Sequence, residues 1–323
     1  MTWLVWRQYR LQFSLSAALL AAFAVLMVIT GVQAADQWHA AQAACAASHG
    51  CQNLFLGSHA VGFLVIATVG APVLVGLFWG APLVAAESEA GTTHFAWMQS
   101  VTRKHWFAVK VGWMLLAAAL WGGVISALVT WWSGPDNAQQ LDAFTTGRFD
   151  IMGIVPVAYS VFALALGIAA GALVRRVLPA MAVTLAGFVV VRAVIALFLR
   201  RHYLSPVTAY HSVITSFTPP GSYWSLAMGV LFPNGQPVDL NTNGNVLNGV
   251  PVTYLPASCN QTTRGLFTPP PSCTQALAHF RGFLTYQPAG RYWAFQGIET
   301  GIFLVLAAAL IAVTAVTLLR RDA

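Results

Sequence analysis

The sequence predicts an all-α integral membrane protein, with six transmembrane helices, an N-terminal interfacial helix and a loop-rich extracytoplasmic insertion between spans five and six. Three observations carry this reading. Of the 323 residues, 58% are hydrophobic and 8% are charged. A soluble domain carries about 25% charged residues, so this chain lacks the polar surface to cover a soluble fold. Its apolar residues gather into runs long enough to cross a bilayer as helices, which takes roughly 20 residues each. The runs are rich in Leu, Ala and Val without polar alternation, the pattern of helices and not of a β-barrel.

Span one covers about Phe13–Ala34. Before it, Trp3, Trp6, Arg7 and Arg10 recur at spacings of three and four in "MTWLVWRQYRLQF". Aromatic rings and Arg stems favour the membrane interface, so this reads as an interfacial helix, against the plainer reading of a basic flank to span one. The "VQA" at Val32–Ala34 resembles a signal-peptidase site. The apolar run before it exceeds the 7–15 residues usual for a secretory core, so span one reads as a retained helix.

Span two covers about His59–Ala85, span three Ala108–Trp132, span four Ile151–Val174, span five Leu178–Leu199 and span six Trp293–Leu319. Pro72, Pro82 and Pro156 lie within or near the ends of spans and are expected to kink them. The organisation is therefore 1–199 (interfacial helix and spans one to five), 200–292 (outer domain) and 293–323 (span six and tail). Residues 200–292 contain eleven of the 16 prolines, and this density of turn chemistry argues against long helices there. Within them, "TAYHSVITSF" is expected to form a short interfacial or re-entrant helix.

Lys and Arg in the short loops set the orientation. Arg7, Arg10, Arg103, Lys104, Lys110, Arg175, Arg176, Arg320 and Arg321 all fall on one side, which makes both termini cytoplasmic. The net charge of +7 follows from this bias and needs no nucleic acid. Arg200 and Arg201 sit awkwardly, on the outer side. The four cysteines, Cys45, Cys51, Cys259 and Cys273, all fall in outer segments. Of three possible pairings, the local Cys45–Cys51 and Cys259–Cys273 are the simplest, and disulfides persist in an oxidising compartment.

Several chemistries are missing. There is no G-x-x-x-x-G-K-[ST] phosphate loop, no G-x-S-x-G elbow and no H-E-x-x-H. The histidines show no metal-ligand spacing. Catalysis by this chain alone, and ATP binding by the phosphate-loop route, are not expected. Two charges fall inside spans: Arg192 in span five and Glu299 in span six, at similar depth. An unpaired intramembrane charge is costly, so an Arg192–Glu299 pair joining the two spans is expected. The alternative is that each snorkels or faces a water-filled cavity. The G-x-x-x-G spacings Gly76–Gly80, Gly167–Gly171 and Gly297–Gly301 permit close helix approach, within the bundle or at a homodimer seam.

The segment between spans two and three has a specific layout. Glu87-x-Glu89-x-Gly91-Thr92 precedes "QSVTRKHWFAVK", which carries Ser100-Val101-Thr102-Arg103 and Lys110. This resembles the permease subunits of ABC exporters of the ABC-2 type, which show an acidic pair, a Gly-Thr, a short helix, a (Pro/Ser)-Val-(Ser/Thr)-Arg turn and a Lys entering span three. The usual Pro is Ser100 here. "RYWAFQGIETGIFL", at the start of span six, is similar to actinobacterial members. The resemblance implies that loop 86–107 holds a coupling helix docking on a separate ATPase subunit. Phe95, Trp97 and Met98 would be its apolar anchor, and Glu87, Glu89, Gly91, Thr92 and Arg103 its coupling residues. It further implies a homodimeric permease with two ATPase subunits, in which ATP and Mg are bound by the ATPase and no cofactor by this chain. The substrate would be a drug, peptide or lipid, exported across a bacterial plasma membrane. Spans two and five line the pathway in such proteins, which points to Phe63, Phe78, Trp79, Phe188 and Arg192. A different class, a membrane-anchored sensor or assembly protein whose outer domain binds a ligand or partner, is the alternative.

Overall fold

The computed structural model describes residues 2–48, 68–89, 103–133, 144, 146–215, 217–220, 223–238, 246–257, 259 and 271–321. Among these, six helices are long and apolar enough to cross a membrane: Ser16–Gln37, Thr68–Ala86, Phe107–Trp132, Val155–Val174, Val177–His202 and Ala289–Thr317. The chain forms two compact units. The first comprises Met1–Leu141, Thr145–Tyr203 and Trp293–Ala323, and the second Asp142–Phe144 and Leu204–Tyr292.

Span one belongs to one unbroken helix, Thr2–Ser48. The expected interfacial helix is therefore not a separate element, and the helix runs past the expected end of span one at Ala34 to Ser48. The cause is local: no Gly or Pro interrupts 2–30, and 35–47 is rich in alanine, the strongest helix former.

Span two is helical over 68–89 and carries a π turn at Gly76–Gly80, closed by Ala81 N–H donating to Gly76 O five residues back. This wide turn lies directly before Pro82. Proline has no N–H to donate and its ring crowds the carbonyl four residues back, so an α-helical ladder is disturbed at this point.

Span four begins at Val155 with Pro156 in its first turn. There a proline is tolerated without a break, so the kink expected at Pro156 is absent. Span four ends on Arg175 in the left-handed region, φ 58°, whose N–H bonds Gly171 O. Arg176 is extended and span five follows at Val177, making a two-residue helical hairpin.

The glycines explain how spans two and four pack. A Cβ at Gly167 would collide with backbone atoms of Gly76, Gly80 and Ala81, and one at Gly171 with Ala81 O. The two motifs thus face each other inside the bundle, and neither is left for a homodimer seam. Val75, Trp79, Leu83, Met114, Leu164 and Ile168 continue this core across spans two, three and four.

The second unit contains a three-stranded antiparallel sheet ordered β1-β5-β2, where β1 is Val207–Ser212, β2 Tyr223–Leu231 and β5 Arg281–Pro288. The expectation of an all-α fold fails here, and so does that of a helix in "TAYHSVITSF". Its first residues form β1, which pairs with β5 from Val207↔Tyr286 to Ser212↔Arg281. Val, Thr and Tyr favour the pleated surface. β3 (Val246–Leu247) and β4 (Val250–Pro251) form a hairpin turned by Asn248 and Gly249, both at positive φ, the Asn-Gly preference of a tight hairpin. Cys259 and Cys273 are joined by a disulfide across a Cα separation of 5.2 Å. They are buried with Val213, Val230, Val250 and Leu277 in this unit's core.

Candidate functional site

The most concentrated chemistry lies in the first unit, at the end of span five remote from the Arg175–Arg176 turn. There Asp150, Tyr159, Arg192, Arg200, Tyr203 and Glu299 converge. Span five changes hydrogen-bond register as it arrives: a π turn at Ile195–Leu199, closed by Arg200 N–H to Ile195 O, is followed by a 3-10 turn at Arg200–His202. The register change has a geometric effect. In an unbroken α-helix, eight residues rotate by about 800°, which would leave Arg200 roughly 80° from Arg192. The π turn absorbs one residue, so the step is about seven and the two arginines come within roughly 20° of one face.

Arg200 is 2% exposed and Glu299 0%. The Arg200 Nε donates to Glu299 Oε2 at 2.9 Å, and Nη2 to Glu299 Oε1 at 2.7 Å. Nη2 also donates to Asp150 Oδ1 at 2.5 Å. Tyr159 Oη donates to Glu299 Oε1 at 2.5 Å and lies 3.2 Å from Asp150 Oδ1. Arg192 Nη2 is 3.2 Å from Asp150 Oδ2, within ion-pair range but without hydrogen-bond alignment, while its Nη1 donates to Val69 O at 2.8 Å. Two guanidinium groups thus face two carboxylates, and the cluster is neutral as a whole, which is what burial of charge requires. Aromatic faces complete the enclosure, with Phe149 under Arg200 at 4.3 Å and Tyr159 under Arg192 at 4.7 Å. Just past the span, Tyr203 Oη donates to Glu299 Oε2 at 3.3 Å. Burial, then the neighbouring carboxylate of Glu299, raises the Tyr203 pKa well above its ordinary value and keeps it a donor.

The expected Arg192–Glu299 pair is therefore replaced. Glu299 is held by Arg200, and Arg192 by Asp150. The reason is the π turn, which brings the deeper-seeming residue of the awkward Arg200–Arg201 pair inward and leaves Arg201 exposed. One turn before Glu299 is Gln296, also fully buried. Its Oε1 accepts from Ile154 N–H and Val155 N–H at 3.0 Å each, and its Nε2 donates to Phe149 O and Met152 O. Span six thereby caps the start of span four, satisfying donors that a helix N-terminus leaves open.

Of the residues assigned to coupling, Gly91, Thr92 and Trp97 lie outside the described residues. Glu87 lies in the helix Ala81–Glu89 and Arg103 opens the helix Arg103–Trp132. Glu89 Oε2 accepts the Val177 N–H at 3.2 Å, so it caps the start of span five. Lys110, 3% exposed, donates from Nζ to Leu83 O at 3.2 Å. Of the pathway candidates, Phe63 lies outside the described residues and Phe78 is exposed. Trp79 is buried, with Nε1 donating to Ser16 Oγ at 3.0 Å. Phe188 is buried against Tyr159 and Phe162, a core position and not a wall of open space. Cys45 lies in the first helix, and Cys51 outside the described residues. Asp150, Tyr159, Arg200 and Tyr203 are the site residues that sequence reasoning missed. The signals for the charged pair were an arginine at odds with the expected orientation and an acid next to span four, and nothing singled out the two tyrosines.

No curated protein and no solved structure matches the chain. Residues 17–200 match the family described as ABC-2 membrane transporter related. The match takes in spans one to five, the segment between spans two and three, and Asp150, Tyr159, Arg192 and Arg200 of the cluster. It covers more than half of the sequence, and with six membrane-crossing helices it places the chain in the ABC-2 membrane transporter related family.

Proposed function

We propose that this chain is the permease subunit of an ATP-driven ABC exporter, carrying a hydrophobic or amphipathic substrate with energy supplied by a separate ATPase subunit. The family match over residues 17–200 carries this reading. The local geometry supports it. The flanks of the segment between spans two and three are fastened to the bundle, through Glu89 to the start of span five and through Lys110 to span two. A force applied to that segment would therefore reach spans two, three and five together. Two copies assemble with two ATPase subunits, which bind ATP and Mg. The chain sits in a bacterial plasma membrane with both termini cytoplasmic.

The test is co-expression of the full chain with a candidate ATPase. A complex should co-purify, and its ATP hydrolysis should fall when Glu87 or Glu89 is replaced by Ala. Purification of the chain without any ATPase, from membranes where one is co-expressed, would favour the sensor or assembly reading.

A further inference from the structure

We propose that the cluster of Arg192, Arg200, Asp150 and Glu299 is a latch. It closes the open end of the hairpin made by spans four and five, with Arg200 as its principal positioning residue. Four observations converge on this. The hairpin is closed covalently at one end by the two-residue Arg175–Arg176 turn. Along its body span five has few residues packed inside the bundle: 17% of its 18-residue apolar window is buried, against 72% of that of span four. At the other end, Arg200 and Arg192 bind Asp150 just before span four, and Arg200 binds Glu299 on span six. Finally, the backbone there is not plain α-helix: successive π and 3-10 turns carry Arg200, and π turns recur at functional sites.

Polar contacts hold or release in discrete steps, whereas packed small residues resist any separation. Spans two and four are packed through glycine along their length, so the separable element is the distal part of span five. With the latch closed, both charges of each sign are satisfied inside the bundle. With it open, the guanidinium and carboxylate groups must be exposed to water. The latch therefore opens only onto a hydrated space, as a transport pathway is. In that role it rests on the permease reading above; as a mechanical device it does not.

The test uses the full chain in lipid nanodiscs with pairs of spin labels, the unsubstituted chain labelled in parallel to account for native cysteines. A distal pair at Ile154→Cys and Leu197→Cys reports the latch end, and a proximal pair at Leu173→Cys and Leu178→Cys the covalent turn. All four positions are exposed. Arg200→Met/Glu299→Gln removes one charge of each sign and leaves the Arg192–Asp150 pair intact. This variant should broaden the distal distance distribution at least twofold and leave the proximal one unchanged. Arg200→Lys keeps the charge but loses the two-pronged contact, and should give a smaller broadening at the same end, which also serves if the double variant fails to fold. A distal distribution as narrow as the parent's, or equal broadening at both ends, overturns the latch. In the permease–ATPase complex, trapping with ATP and vanadate should lengthen the distal distance. If an active complex forms and the distal distance stays fixed, the gating role falls while the permease reading stands. If no ATPase associates, the permease reading falls and the nanodisc comparison still decides the latch.

Discussion

Between spans two and four, backbone meets backbone: Gly76 and Gly80 lie against Ala163, Leu164 and Gly167, and Gly171 against Ala81, with no room for a methyl group. At the distal end of span five, guanidinium meets carboxylate: Arg200 bonds Glu299 of span six and Asp150 just before span four. Both seams are buried in the bundle, but they fail differently. The glycine seam depends on shape, which is short-ranged and tolerates almost no change in volume. The ionic seam depends on charge balance, which survives a change of volume but not the removal of one partner. The first is suited to holding two helices together throughout a cycle, and the second to being made and broken.

Arg200→Met should produce the largest effect, because it leaves Glu299 and Asp150 buried with only Arg192 to balance them. Removing one partner of a buried pair costs about 3–5 kcal/mol, which should appear as a large drop in the thermal midpoint of the solubilised chain. Arg200→Met/Glu299→Gln should recover most of that loss, since replacing both partners of a buried pair is often close to neutral. A double variant no more stable than Arg200→Met would show that the arginine acts through something other than its charge, such as its packing on Phe149.

Gly167→Ala should come next, at about 3 kcal/mol, the upper end of ordinary overpacking costs. The added carbon would press on backbone atoms of Gly76, Gly80 and Ala81, which cannot rotate away. No second-site charge change should rescue it, in contrast to Arg200→Met. Gln296→Ala should cost less, roughly 2 kcal/mol, by leaving the Ile154 N–H and the buried Val155 N–H without acceptors. Hydrogen exchange should then rise at the first turn of span four and not at its glycine seam.

The two seams were not equally legible in the sequence. Hydropathy is a sum over some twenty residues, so the spans survive local errors, and the G-x-x-x-G spacings named the glycines that pack together. What they could not name was the partner, because the same spacing serves a neighbouring span or a second copy. The ionic cluster was harder. A single inserted residue in the π turn at Ile195–Leu199 decides which face Arg200 occupies, and nothing in "IALFL" announces it. Asp150 precedes span four and so escaped a search for charges inside spans. Arg192 and Glu299 were recognised as partner-seeking, but each takes a different partner. In the second unit, the density of proline and glycine concealed strands of six to nine residues between the turns.

The smallest effect separates the bundle's own seams from any seam between copies. Gly297 and Gly301 repeat the spacing of the packed glycines, yet a Cβ at either meets nothing within 4 Å among the described residues. Gly297→Ala should therefore change the stability of the monomer by no more than about 0.5 kcal/mol, read from its thermal unfolding, as for other substitutions that touch nothing. The same substitution at Gly167 is costly, so the pair of variants isolates close approach from glycine content as such. If Gly297→Ala also leaves cross-linked dimer yield in membranes unchanged, span six contributes no tight self-contact. A fall in dimer yield at unchanged monomer stability would place a second copy against this face, and would make span six the seam that shape holds between copies while charge holds it within one.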